Sequence, residues 1–271
     1  MHTYIINMDE ARERWQFVRE AYSETGLSFS RVSAVIGRKF PLPHPSYDEA
    51  RYRLCHGQRT NPGQLGCYMS HLKCLQMFLE SGDDFAMIAE DDSKPSADIA
   101  EVLEAARKYE SCWDILRVCG FHNPHPKPFV NLVGEYKLAI CFTRLCGTGA
   151  YVVSRHAADV LLQKLVPMFL PIDHALDREW AYGLRAAAVM PLPISQVEHP
   201  FSTQIPATKN YKLPAIQRYW SVFPFRIRNE FSRLISRTRQ WNRAKKLVSL
   251  VSMESRQSQK AEMSERVRVA A

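Results

Sequence analysis

The sequence has no C-x-x-C pair, although its 271 residues include seven cysteines, at Cys55, Cys67, Cys74, Cys112, Cys119, Cys141 and Cys146. An odd number scattered through apolar segments excludes a disulfide framework and argues against a zinc site; it points to buried free thiols in a reducing compartment. The N-terminus, M-H-T-Y-I-I-N-M-D, lacks the basic region and long apolar stretch of a secretory leader. No run approaches the ~18 apolar residues of a membrane span. The expectation is a chain that stays in the cytoplasm. No internal repeat is found, which removes solenoid and propeller architectures.

What is present is globular: 46% hydrophobic and 11% aromatic residues, with length for one large domain or two small ones. The net charge of +8 is unevenly placed. Residues 209–271 hold 15 Lys/Arg against 4 Asp/Glu, leaving 21 against 24 in residues 1–208. The basic character therefore belongs to the tail.

Along the chain, T-Y-I-I-N-M (3–8) reads as a strand and residues 12–22 as the amphipathic helix after it. Residues 37–60, with P-L-P-H-P, read as a long loop or small insertion. In the next segment Leu65, Tyr68, Leu72, Leu75 and Leu79 fall at steps of three and four, one helical face. Asn61-Pro62 is a start signal for that helix and Gly82 a stop. F-A-M-I-A (85–89) is apolar throughout, as a buried parallel strand would be. A helix after Pro95, strands at 113–119, 136–142 and 150–154, a helix at 155–165 and a strand at 186–194 complete the series. Interleaved strands and helices predict one α/β domain over residues 1–208 around a mostly parallel sheet.

Residues 209–271 change character. Phe225, Ile227, Phe231, Leu234 and Ile235 interleave with Arg226, Arg228, Arg233, Arg237 and Arg239. Such an aromatic and basic amphipathic helix suits an anionic membrane surface, and the polar last dozen residues read as disordered. The tail carries no recognised nucleic-acid motif, so no nucleic acid is expected as a partner.

Three carboxylates, Glu90, Asp91 and Asp92, stand where the 85–89 strand ends, the edge at which open α/β sheets bind ligands. Clustered carboxylates repel unless a cation or protons sit between them, and oxygen-only ligands suit Mg²⁺ or Mn²⁺. The plainer alternative is a turn that caps the next helix. His71 stands on the leucine-striped helix beside Ser70; alone, such a histidine is more often a packed residue than a functional one. Gly147 and Gly149 precede A-Y-V-V-S and allow close approach of a ligand, or simply make a turn. P-I-D-H-A-L-D-R-E-W (171–180) supplies Asp173, His174 and Asp177, any of which could serve as a general base, although an acidic helix start is the commoner meaning of such a run.

Taken together, Y-I-I-N-M-D at 4–9 with Arg14, G-Q-L-G-C-Y-M-S-H at 63–71, F-A-M-I-A-E-D-D at 85–92, G-T-G-A-Y-V-V-S at 147–154, P-I-D-H at 171–174 and F-S-T-Q-I at 201–205 resemble glycosyltransferase family 25, the lipooligosaccharide and lipopolysaccharide glycosyltransferases. The resemblance implies a GT-A type nucleotide-sugar fold, in which Glu90 and Asp92 have D-x-D spacing and, with Asp91 between them, hold Mn²⁺ or Mg²⁺ on the donor diphosphate. It places Asn7, Arg14, Ser70, His71, Gly147 and Gly149 at the nucleotide sugar and Asp173 as the acid of the P-x-D block. The usual G-T-A-G-Y stands here as G-T-G-A-Y, and residues 209–271 fall outside the resemblance. The implied reaction is inverting transfer of a hexose, galactose from UDP-galactose first, to a lipooligosaccharide core sugar at the inner face of the cytoplasmic membrane. The base would be Asp173, His174 or Asp177. A non-catalytic α/β protein binding membrane or another polyanion through its tail, and a metal-dependent phosphohydrolase using the same carboxylates, are the alternatives.

Overall fold

The run T-Y-I-I-N forms the first strand, β1 (His2–Asn7), and its side chains alternate between two cores: Tyr4 and Ile6 on one face, Ile5 on the other. The same alternation recurs in β3 (Phe85–Glu90), where Ile88 joins the first core and Met87 and Ala89 the second, and in β8 (Ala150–Ser154) with Tyr151 and Val153 against Val152. A sheet covered on both faces is what an uninterrupted apolar strand requires. The computed structural model describes residues 1–121, 124–197 and 208–269, with backbone alone from 251 onward. The F-S-T-Q-I block at 201–205 lies outside the described residues.

Eight strands form the main sheet in the order β2 (Ser28–Ser33), β1, β3, β8, β5 (Ile115–Arg117), β9 (Ala186–Met190), β7 (Lys137–Cys141), β6 (Pro126–Asn131). β1 runs parallel to β2 and β3, and β5 parallel to β9. β8 runs against both β3 and β5, and β7 against β9 and β6. The sheet is thus mostly parallel, with β7 and β8 reversed. Reversal of β8 brings its N-terminal end, preceded by Gly147 and Gly149, to the carboxyl end of β3: Glu90 N donates to Gly149 O at 2.9 Å. A small antiparallel pair, β4 (Ser93–Pro95) with β10 (Ile194–Gln196), extends beyond that edge.

Helix α1 (Arg12–Ser23) follows β1, and α3 (Pro62–Ser81) covers the first core with Leu65, Tyr68 and Leu75 buried. α3 starts as its sequence signals: Asn61 accepts from Gly63 N, Pro62 occupies the first turn, and Gly82 ends it at φ 82°. Helices α4 (Ile99–Arg107), α5 (Arg155–Lys164) and α6 (Ile172–Leu176) complete the flanks. Residues 37–60, expected to be irregular, include α2 (Glu49–His56), capped by Asp48 accepting from Arg51 N and closed by Gly57 at φ 79°. Eight residues with two caps and a weak apolar stripe leave little periodic signal.

The tail is a long helix, α7 (Ala215–Val269). It lies on the domain against α2, β6 and β7. Its inward stripe holds Val222, Asn229, Arg233, Arg237, Gln240 and Ala244, all buried, so two of the arginines expected on an outer basic face are turned inward. Its outward face exposes Ile216, Tyr219, Trp220, Phe223, Ile227, Phe231, Leu234 and Ile235. Among the described residues no helix is long and apolar enough to cross a membrane. All seven cysteines are free, and Cys74, Cys112, Cys119 and Cys141 are buried.

Candidate active site

A cleft of about 890 Å³ opens at the carboxyl ends of β1 and β3, between the loop after β2 and the N-terminal half of α3. Its walls include Asn7, Arg14, Gly37, Arg38, Lys39, Cys67, Ser70, His71, Glu90, Asp91, Asp92, Phe121 and Gln196. The loop is tied to the helix through Ser70, whose hydroxyl donates to Gly66 O at 2.7 Å and accepts from Val35 N at 2.8 Å. With its proton and one lone pair spent on backbone, Ser70 shapes the wall.

The three adjacent carboxylates have three different surroundings. Asp91 is buried, with Asn7 Nδ2 donating to Oδ2 at 2.7 Å and Arg14 Nε to Oδ1 at 2.7 Å. Asn7 is itself held by Arg31, whose Nε donates to Asn7 Oδ1 at 2.8 Å. Asp91 is thus neutralised within the protein, and its expected part in holding a cation does not fit: both oxygens are engaged, and Arg14 sits against the site where an ion would bind. Asn7 and Arg14, expected at the nucleotide, line the cleft and also position the acidic turn. Glu90 accepts from Thr148 Oγ1 at 2.6 Å and faces His71 Nε2 at 3.4 Å. Burial acts to raise its pKa, but the hydrogen bonds and charge of His71, Thr148 and Arg14 outweigh that and hold it below the usual value. Asp92 accepts from Gln196 Nε2 at 3.2 Å, and Arg14 Nη2 lies 3.2 Å from its other oxygen. Burial first, then the charge of Glu90, pushes Asp92 up to about 6. Arg14 and Gln196 offset this only in part, and Asp92 stands beside an ionised neighbour in an open cleft, where a cation would relieve the repulsion. Of the three carboxylates, Glu90 and Asp92 are the two that could hold a divalent ion.

His71 is fully buried, its ring stacked on Tyr151 and its Nδ1 3.0 Å from the Tyr151 hydroxyl. Gly147 (φ 90°) and Gly149 do not open onto the cleft: a Cβ at Gly147 would stand 2.7 Å from the Phe121 ring, and one at Gly149 2.6 Å from the Gln196 side chain. They admit protein neighbours that line the cleft, rather than a ligand. Asp173 and His174, on α6, stand together at the end of the site beyond Cys146, with His174 Nε2 4.0 Å from Asp173 Oδ2. Neither lines the cleft itself, yet Asp173 is close enough that its charge, with burial and that of Glu90, raises the Cys67 thiol well above its ordinary pKa.

Asp177 is elsewhere. Its carboxylate is buried under α7, 2.7 Å from Arg233 Nη2 and 3.1 Å from Arg237 Nη2. Arg237 also binds Glu179 at 2.9 Å, and Trp180 stacks beneath both arginines at 5.1 and 5.6 Å. A base needs a lone pair facing substrate, and Asp177, buried under α7 and paired with two arginines, presents none to the cleft. Four residues from Asp173 puts the two on one helical face only where a helix lasts that long, and α6 ends at Leu176.

Residues 1–176 match the family described as Glycosyltransferase family 25 (LPS biosynthesis protein). The chain belongs to glycosyltransferase family 25. This glycosyltransferase extends beyond that match, so Asp177, Glu179 and the whole of α7 lie outside it. No curated protein matches the chain. Among solved structures it is similar to a glycosyltransferase involved in the glycosylation of the major capsid of PBCV-1 (11% identity, TM-score 0.39, over 73% of this chain and 94% of that one). It is also similar to A197 from STIV (15% identity, TM-score 0.37, 69% and 80%) and to the inositol-1-phosphate CTP transferase from T. maritima (12% identity, TM-score 0.36, 73% and 71%).

Several residues in or behind the cleft wall of the glycosyltransferase had no role assigned from sequence. Arg38 and Lys39 bring the exposed cations of the cleft from a 3₁₀ turn inside the stretch read as a loop; two adjacent basic residues next to Gly37 were the available signal. Thr148 and Tyr151, inside the G-T-G-A-Y block, hold Glu90 and His71, and Gln196 of β10 holds Asp92; the block was visible in the sequence, but which of its side chains reach the acidic turn was not.

Proposed function

We propose that this glycosyltransferase moves a hexose, galactose from UDP-galactose first, onto a sugar hydroxyl of a lipid-linked lipooligosaccharide, with inversion. The observation that carries the reading is the cleft lining itself: Glu90 and Asp92 unpaired with each other, and Arg38 and Lys39 elsewhere in the lining, in a space large enough for a nucleotide sugar. Glu90 and Asp92 would hold Mn²⁺ or Mg²⁺, which when bound supplies positive charge against the departing diphosphate. Arg38 and Lys39, elsewhere in the cleft lining, add charge of the same sign. Asp173, beyond Cys146 at the end of the site and outside the cleft lining, would accept the proton of an attacking hydroxyl bound at that end. Asn7 and Arg14 keep the acidic turn in place.

The acceptor being an anionic lipid, α7 serves to hold the enzyme at the inner face of the cytoplasmic membrane. What supports this is its outward stripe of Ile216, Trp220, Phe223, Ile227, Phe231 and Leu234 beside exposed Arg228 and Arg239.

The test is UDP release from a panel of UDP-sugars, with and without Mn²⁺ and lipooligosaccharide acceptor. The expected result is metal-dependent, acceptor-stimulated release from one sugar. Asp92→Asn should lower it by about 100-fold, since a cation at a leaving group contributes several kcal/mol. Release indifferent to metal and to Asp92→Asn would refute the assignment. Hydrolysis of a phosphomonoester without any acceptor would favour a phosphohydrolase.

A further inference from the structure

The absence of any C-x-x-C pair argues against a zinc site in the sequence, yet the fold assembles a different soft-metal donor set. Cys67 and His71 stand one turn apart on α3, and both face the end of β3. The Cys67 sulfur, a His71 ring nitrogen and a Glu90 oxygen all lie within 4.8 Å of one another. Three ligands of this kind around a zinc ion would sit roughly 3–4 Å apart, given metal–ligand distances of about 2.0–2.3 Å. Small side-chain adjustments close the difference.

The surroundings favour the same reading. His71 Nδ1 is engaged by the Tyr151 hydroxyl at 3.0 Å, which orients the ring and leaves Nε2 aimed at Glu90, 3.4 Å away. Glu90 is held in turn by the Thr148 hydroxyl at 2.6 Å. An imidazole fixed by a bond at its far nitrogen, and a carboxylate fixed by a hydroxyl, are the outer partners that metal ligands require. All three donors line the open cleft, so a fourth position would remain for water or another oxygen. A hard ion would gain little from a thiol and a buried imidazole.

We propose that Cys67, His71 and Glu90 form a site for a thiophilic divalent cation of the zinc class on the floor of the cleft, separate from the Glu90 and Asp92 pair but sharing Glu90 with it. Binding forms a sulfur–metal bond and releases the Cys67 thiol proton to solvent. Because both sites draw on Glu90, a soft ion at Cys67 competes with the hard one for that carboxylate.

Co²⁺ added to the purified full-length protein reports the site without any turnover. The expected result is one equivalent bound, with a sulfur-to-cobalt charge-transfer band and the visible intensity of a four-coordinate ion, both removed by Zn²⁺. Cys67→Ser abolishes the charge-transfer band, whereas Cys146→Ser, beside Asp173 and His174, leaves it intact. Tyr151→Phe keeps the ring packing and the band but weakens Zn²⁺ affinity by about 10–100-fold, the usual effect of deleting an outer partner. No band in the wild type, a band that survives Cys67→Ser, or a band lost only in Cys146→Ser would each overturn the proposal.

Discussion

Replacing Arg237 by alanine should loosen α7 from the domain at a cost that the geometry makes large. The guanidinium is 5% exposed and joins Glu179, 1% exposed, and Asp177, 4% exposed, at 2.9 and 3.1 Å. Removing it leaves two carboxylates in the interior, Asp177 with Arg233 as its remaining ion pair and Glu179 without its Arg237 partner. Burial already holds Glu179 above the usual carboxylate range, and the Asp177 charge adds to the effect. Breaking one partner out of a buried charge network costs about 3–5 kcal/mol, against a total stability on the order of 5–15 kcal/mol. Loss of the contact with Trp180 adds to this. Urea unfolding followed by tryptophan fluorescence should register the loss, and the melting temperature should fall by about 6–20 °C for a chain of this size. The deficit has a defined pH sense. A carboxyl whose folded pKa is raised destabilises the native state as pH rises above its unfolded value, so the variant should lose more at pH 7 than at pH 5. Adding Asp177→Leu and Glu179→Leu removes the stranded charges and should recover much of the loss. A change below about 1 kcal/mol in Arg237→Ala would refute the view that this network fastens the helix.

Two further outcomes follow from named groups. His56 is buried between Tyr52 and His174 and lowered to about 3, by burial first and then by the charges of His174 and Arg226. Between that value and the ordinary 6.5 the unfolded chain binds the extra proton, so stability should fall by about 2 kcal/mol from pH 6.5 to pH 5. Denaturation midpoints measured across that range should show this slope, and His56→Phe should flatten it. On the outer face of α7, Trp220→Ser with Phe223→Ser should weaken co-sedimentation with anionic vesicles by about tenfold. Arg228→Ala with Arg239→Ala should weaken it at low salt only; equal binding by wild type and both double variants would remove the membrane role.

The α7 helix marks the limit of periodicity as a guide. Its aromatic and arginine residues alternate as they would in a surface-seeking amphipathic helix, and that pattern is correct about the helix. It is wrong about two of the arginines, because Asp177 and Glu179, more than 50 residues earlier, make a polar inner stripe affordable. The apolar residues are left outside as a result. Likewise Glu90 to Asp92 stand at the strand end where the apolar run places them. Their separate roles depend on Asn7, Arg14, Thr148 and Gln196, which reach the turn from β1, α1, the approach to β8 and β10.

The sequence by itself determined the alternating strands and helices, the capped start of α3, the acidic turn at the end of β3 and the family. These are written in short-range spacing and in motif order, both of which survive without coordinates. Tertiary structure alone decided that Asp91 is neutralised by Arg14, that Asp177 belongs to the helix latch, that Gly147 and Gly149 make room for Phe121 and Gln196, and that Cys67 and His71 meet Glu90. Each of these depends on which residues distant in the chain approach within a few ångströms, and charge compensation at that range decides whether a carboxylate is a ligand, a base or a strut.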